Sequence, residues 1–156
     1  MAISVKVELG FEFDVKAPLK EVFDLLADVP ASAAFYPKVD KLVDQGGGVY
    51  RWEMKKIGIG QANLQTIYAS KYVADKAKGS VIWTPVKGEG NAEVAGSWKL
   101  KANKKGTNLI LTIDGMVNMP LPGMMKMVLA PIVQSEFEKM TEQYIANLTK
   151  QFGGEA

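Results

Sequence analysis

The chain contains no histidine and no cysteine, so the groups that most often do chemistry near neutral pH are missing. Imidazole bases, serine–histidine triads, thiol nucleophiles, disulfides, and imidazole or thiolate metal ligands are all excluded. Carboxylates, lysines, tyrosines and hydroxyls remain. Among the carboxylates Glu136 stands apart. On a helical wheel it falls beside Leu129, Ile132 and Met140, about 60° from the centre of an apolar face. Desolvation in an apolar cavity turns a carboxylate into an acid or base; on the flank of the stripe it would instead reach solvent or pair with a lysine. Arg51, Lys56 and Asp114 are weaker candidates, expected on the solvated side of strands or at their ends.

A second group of residues suggests binding rather than turnover. Five of the eight methionines lie within Met116-Val-Asn-Met-Pro-Leu-Pro-Gly-Met-Met-Lys-Met127. Methionine is unbranched and polarizable, so Met116, Met119, Met124 and Met125 could wall a pocket that adapts to its guest, or simply fill a corner of the core. Pro120, Pro122 and Gly123 rule out regular structure at the centre of the segment. It therefore reads as a mobile lid, or as an apolar tip that touches a membrane transiently while Lys126 meets anionic headgroups.

Alternation supplies the remaining candidates. Val5, Val7, Leu9, Phe11, Phe13 and Val15 alternate with polar residues or glycine, which predicts a half-buried strand. Pro18 near a first helical position starts a helix with the face Leu19, Val22, Phe23 and Leu26. A short second helix follows over 31–35. Strands are then expected at 41–45, 49–59, 62–75, 80–85, 92–102 and 108–117, separated by Gly- and Asn-rich turns spaced as in an antiparallel meander. A helix over about 123–152 carries Leu129, Val133, Phe137, Met140, Tyr144 and Leu148 on one broad face.

The expected fold is α+β. Strand, two short helices, six strands and a long helix (β-α-α-β6-α) give a curved seven-stranded antiparallel sheet wrapped around the C-terminal helix. One domain over residues 1–156 suits this length. A curved sheet needs a cover for its apolar face, and the long helix is the only amphipathic element large enough. Inward parity places Tyr50, Trp52 and Met54 on one strand and Thr66, Tyr68 and Tyr72 on the next. Trp98, Leu111 and Ile113 follow on later strands, and Trp83 joins them although both parities of its strand are apolar. Gly96 and Gly115 share the inward parity, where glycine marks a bend or makes room. The expected binding surface is thus Trp52, Met54, Tyr68, Trp83, Trp98 and Ile113, with the methionines above and Leu129, Val133, Glu136 and Met140 from the helix.

The run Phe13-Asp-Val-Lys-Ala-Pro-Leu-Lys-Glu-Val-Phe-Asp-Leu-Leu-Ala-Asp28, Pro37, Gly96-Ser-Trp98 and Lys105-Gly-Thr-Asn-Leu-Ile-Leu111 resemble the START-related lipid-transfer and polyketide-cyclase (SRPBCC) superfamily. The resemblance covers nearly the whole chain and implies the helix-grip fold. Within the superfamily, the carbon-monoxide-dehydrogenase-related group and the bacterial cyclase-like group both look similar. The resemblance implies either a carrier of a lipid, sterol, isoprenoid quinone or polyketide-like compound, or an aromatase/cyclase. It transfers no catalytic residue, since the superfamily has no universal catalytic motif.

Three functions follow, in order of preference. The first is a non-enzymatic binder or carrier of a hydrophobic small molecule, needing no cofactor and no metal. The second is a cyclase, dehydratase or isomerase using Glu136 with a tyrosine or lysine. The third is a protein-interaction or assembly module using the outer sheet face. Nucleic acid is not an expected partner: Arg51 is the only arginine among 19 basic residues, and the lysines are scattered. The longest apolar stretch is too short to span a bilayer and no signal-peptide pattern opens the chain, so a cytoplasmic protein is expected.

Overall fold

Alternation at the start of the chain produces β1 (Ile3–Val15), whose odd-numbered residues from Ile3 to Leu9 are buried and whose even-numbered neighbours are exposed. The computed structural model describes residues 3–59 and 62–156. After Pro18, α1 (Leu19–Ala27) buries Val22, Phe23 and Leu26. Asp28 ends it and caps α2 (Val29–Ala33), its carboxylate accepting a hydrogen bond from the Ala31 N–H at 3.2 Å. The strands β2 (Val39–Gly46), β3 (Val49–Met54), β4 (Ile57–Ile59), β5 (Ala62–Leu64), β6 (Ile67–Asp75), β7 (Ser80–Val86), β8 (Ala92–Asn103) and β9 (Gly106–Met119) come next. A 3₁₀ turn at Gly123–Met125 leads into α3 (Lys126–Gln151).

Seven of these strands form one antiparallel sheet in the order β1-β9-β8-β7-β6-β3-β2. The first strand thus pairs with the last, from Ile3 opposite Met119 to Val15 opposite Thr107. The α3 helix lies against the β1 edge. There the Gln134 amide imitates a neighbouring strand: its carbonyl accepts from the Glu8 N–H at 3.1 Å, and its NH₂ donates to the Glu8 carbonyl at 2.8 Å. The C-terminal end is fixed by Ala17 N–H donating to the Phe152 carbonyl at 3.0 Å. This is the α+β helix-grip arrangement. No helix among the described residues is long and apolar enough to cross a membrane.

Two of the expected strands are broken. The run over 49–59 divides into β3 and β4, and the run over 62–75 into β5 and β6, so a small β4–β5 hairpin leaves the main sheet. The expected turn at Gly60-Gln61 lies outside the described residues. At the break, Lys55 N–H donates to the Lys38 carbonyl at 2.8 Å. The Asn91 amide accepts from Ile67 N–H and donates to the Gln65 carbonyl, at 2.8 and 2.9 Å. Distant groups thus satisfy the backbone that the ladder gives up. The freed hairpin buries Ile57 and Leu64 in one cluster with Leu129, Val133 and Met140 of α3. Burying side chains of this size contributes roughly 1.5–3 kcal/mol each, enough to favour folding the tip under the helix.

Candidate functional site

The helix and the sheet do not meet everywhere. Between them lies a hollow with ≈ 100 Å³ available to the centre of a water-sized guest. Adding one water radius all round makes it a space on the order of 300 Å³, at the lower end of small-molecule pockets. Val7, Leu111, Ile113, Gly115 and Val117 form its floor on β1 and β9. Trp52 and Met54 from β3, Thr66 just before β6, Tyr68 and Tyr72 from β6, Trp83 from β7, and Val94 and Trp98 from β8 line its wall. Leu26, Val29, Ser32 and Tyr36 close one side, and Phe137, Thr141 and Tyr144 of α3 form the roof. Among the described residues, no acidic or basic side chain is part of the lining.

All three tryptophans face this space, and the aromatic rings support one another. Trp52 stacks on Tyr68 with ring centres 5.9 Å apart and planes 10° from parallel. Tyr36 meets Trp52 edge-on at 6.2 Å and leans on Tyr144 at 5.0 Å. Tyr72 packs on Trp83 at 5.5 Å. Such pairs contribute about 0.5–1.5 kcal/mol each beyond their burial and hold the rings in fixed orientations. Tyr36 also lines an outer groove with Pro30, Ala33, Val39, Leu42 and Tyr50, so its ring separates the hollow from that groove.

Most hydroxyls around the hollow are already paired. Ser32 and Tyr144 share a hydrogen bond, Tyr36 and Thr141 share another at 3.0 Å, and the Trp52 indole N–H donates to the Tyr72 hydroxyl at 2.9 Å. Burial dominates the acidity of these phenols. It pushes Tyr36 up to about 12 against the opposing Thr141 bond. It also pushes Tyr144 up to about 12 although the Ser32 and Trp98 contacts pull the other way. Tyr72 is raised by burial despite its Trp52 bond. Tyr68 is raised well above the ordinary value, by burial and then by the neighbouring phenols. All four stay protonated at neutral pH.

This has a measurable consequence. The folded state keeps phenolic protons that the unfolded chain releases near the ordinary value of 10.0. Stability is therefore fully present below pH 10 and falls as the pH rises through about 12. Phenolate absorbance should remain small in the folded protein and jump together with loss of the circular-dichroism signal. Reversible ionisation of four of the five tyrosines near pH 10, with the fold intact, would contradict this geometry.

The residues expected from the sequence divide into two sets. Trp52, Met54, Tyr68, Trp83, Trp98 and Ile113 are brought together on the wall and floor of the hollow. Met116, Met119, Met124, Met125, Leu129, Val133, Glu136 and Met140 are not part of its lining. Met116 points out of the sheet because the inward parity of β9 is odd. Met119 keeps that parity but lies beyond the hollow, buried with Leu129, Val133 and Met140 against β1. Met124 is 86% exposed, with Met127 and Val128 also in the open, and Met125 is half-buried.

The helix residues err by a rotation. With about 100° per residue, Leu129, Val133 and Met140 seat α3 on β1, while Tyr144, Phe137 and Thr141 sit further round and face the hollow. Glu136 flanks the seam on the opposite side, half-buried and about 100° from Phe137. The acid–base role expected of it thereby loses its position in the cavity. The sequence did signal part of what was missed: Thr66 and Tyr72 share the parity of Tyr68, and Phe137, Thr141 and Tyr144 follow i, i+4, i+7. Tyr36 and Ser32 had no such signal, since only the placement of α2 brings them to the hollow.

Known proteins share this architecture. A family model described as polyketide cyclase/dehydrase and lipid transport matches residues 4–149. No match was found among curated protein sequences. Among solved structures, the Zhui aromatase/cyclase from Streptomyces sp. R1128 is similar at 13% identity and a TM-score of 0.66, covering 97% of this chain and 94% of its own. A START superfamily protein from Mycobacterium smegmatis is similar at 15% identity and a TM-score of 0.65, with coverage of 95% and 97%. At these identities the structural likeness carries the fold alone.

Proposed function

Since the chain belongs to the polyketide cyclase/dehydrase and lipid-transport family, we propose that it binds and carries a hydrophobic small molecule in the hollow beneath α3. The observation that carries this reading is the lining itself, aromatic and aliphatic throughout, with only hydroxyls and indole N–H groups as polar handles. Apolar walls with a few placed polar groups are the usual make-up of a small-molecule site. Turnover is less well supported than binding. A general acid or base works best with a pKa near the operating pH, and the phenols facing this space are held far above it. The carboxylate that the sequence singled out for this work, Glu136, is not in the lining.

The test uses N-phenyl-1-naphthylamine, an uncharged fluorescent compound. It should be taken up saturably at one molecule per chain, with energy transfer from the cavity tryptophans, and be recovered chemically unchanged. Absence of saturable uptake, together with organic extracts of purified protein that contain no hydrophobic passenger, would reject the carrier reading.

A further inference from the structure

Resting on that carrier reading, we infer that the hollow selects uncharged, flat guests bearing a hydrogen-bond acceptor such as a ketone, quinone or ether oxygen, anchored by the hydroxyls of Thr66 and Tyr68. Ser32 with Tyr144 and Tyr36 with Thr141 each share a hydrogen bond, and the Tyr72 oxygen accepts from the Trp52 indole, so each of these hydroxyls is fixed by at least one partner. Thr66 and Tyr68 have no side-chain hydrogen-bond partner among the described residues. Yet no fully buried side-chain polar atom among those residues is left unpaired. An unbonded hydroxyl here is therefore one that reaches open space, and both of these residues line the hollow. They share one parity in the sequence, and each offers the hollow a hydroxyl that no other side chain among the described residues holds.

Each further property of the guest follows from a different feature. The Trp83 indole also lines the hollow without a hydrogen-bond partner among the described residues, and it can only donate. That indole and the two free hydroxyls can all donate, so the lining favours an acceptor on the guest. The Tyr68 ring lies flat on Trp52, so the guest meets a rigid aromatic slab that rewards a planar ring system. Charge is selected against because, among the described residues, no acidic or basic side chain lines the space. A carboxylate would leave water with no counter-ion to meet it, an expensive transfer. Tyr68 itself stays a neutral donor, since burial holds its proton well beyond the physiological range.

Three compounds of one shape separate these features: 2-acetylnaphthalene, 2-ethylnaphthalene and 2-naphthoate, measured by equilibrium dialysis at neutral pH. The naphthoate should bind at least about tenfold more weakly than the ketone. In Tyr68→Phe, and again in Thr66→Val, the affinity for the ketone relative to the hydrocarbon should fall about threefold to tenfold, the loss of one neutral hydrogen bond. Both substitutions keep the ring or the branched shape, so circular dichroism should report an unchanged fold. Naphthoate binding as tightly as the ketone, or a ketone-to-hydrocarbon ratio unmoved in both variants, overturns the inference. In those cases uptake of the hydrocarbon would leave the carrier reading standing. If none of the three compounds is taken up, the carrier reading fails and this inference fails with it.

Discussion

Gly115→Leu should abolish guest uptake while leaving the protein at least as stable as before. Gly115 lies on the floor of the hollow, paired with Val7 on one side and Val94 on the other. A Cβ added there would meet the Glu93 carbonyl oxygen and a Val94 methyl at 3.8 Å and the Val7 Cβ at 3.9 Å, all ordinary contacts. The Cβ itself displaces no neighbour, and the rest of the side chain would extend into the hollow that Gly115 lines. Replacing a strand glycine by a residue its backbone accepts stabilises by about 0.5–1 kcal/mol through the unfolded state. Burying leucine in a void adds up to about 1.5–3 kcal/mol more. The space that it fills is the guest's own. Affinity for N-phenyl-1-naphthylamine should fall at least tenfold, with the urea unfolding midpoint unchanged or raised. Full affinity in this variant would place the binding site elsewhere on the molecule, whatever the shape of the hollow.

The strands of the grip were legible because alternation is a local property. From Ile3 to Val15 each residue's side is set by its parity, and the same counting put Trp52, Tyr68, Trp98 and Ile113 on a common surface. The breaks at Lys55-Lys56 and Gln65-Thr66 were not legible, because the groups that satisfy the interrupted backbone are the Lys38 carbonyl and the Asn91 amide. Both belong to other parts of the chain. The methionine cluster misled for a related reason. Its composition suits a pocket wall, but composition does not tell which side of β9 Met116 takes, or that Met119 falls past the end of the hollow. On α3 the apolar face was read correctly as a face. Which of its two stripes seats on β1 and which looks into the hollow depends on how the helix rolls. That roll is set by contacts such as Gln134 with Glu8, made across the fold.

The glycine pair tests this distinction between local pattern and tertiary contact, since Gly96 and Gly115 have the same inward parity and look alike in the sequence. Gly96→Ala should cost about 2–3 kcal/mol, as expected for overpacking. Its cause is steric and not a matter of backbone angle. A Cβ at Gly96 would stand 2.5 Å from the Thr112 carbonyl oxygen and 2.5 Å from Cε2 and Cζ2 of Trp83, the residue opposite it on β7. Glycine here makes room for an indole. The indole could retreat only by turning into the hollow or by pressing on Tyr72, whose ring centre lies 5.5 Å away. Guest affinity should therefore fall along with stability, unlike the Gly115 variant, where the two move apart. A smaller side chain at position 83 should relieve part of the strain. Trp83→Leu is destabilising alone, because it removes a buried aromatic, yet combined with Gly96→Ala it should cost less than the sum of the two single changes. The rescue is partial, since the Thr112 carbonyl on β9 remains in the way. Urea unfolding of the four proteins followed by circular dichroism measures this coupling. Strict additivity, or a Gly96→Ala protein as stable as the parent, would mean that the indole does not rest on the glycine and that the wall of the hollow is built differently.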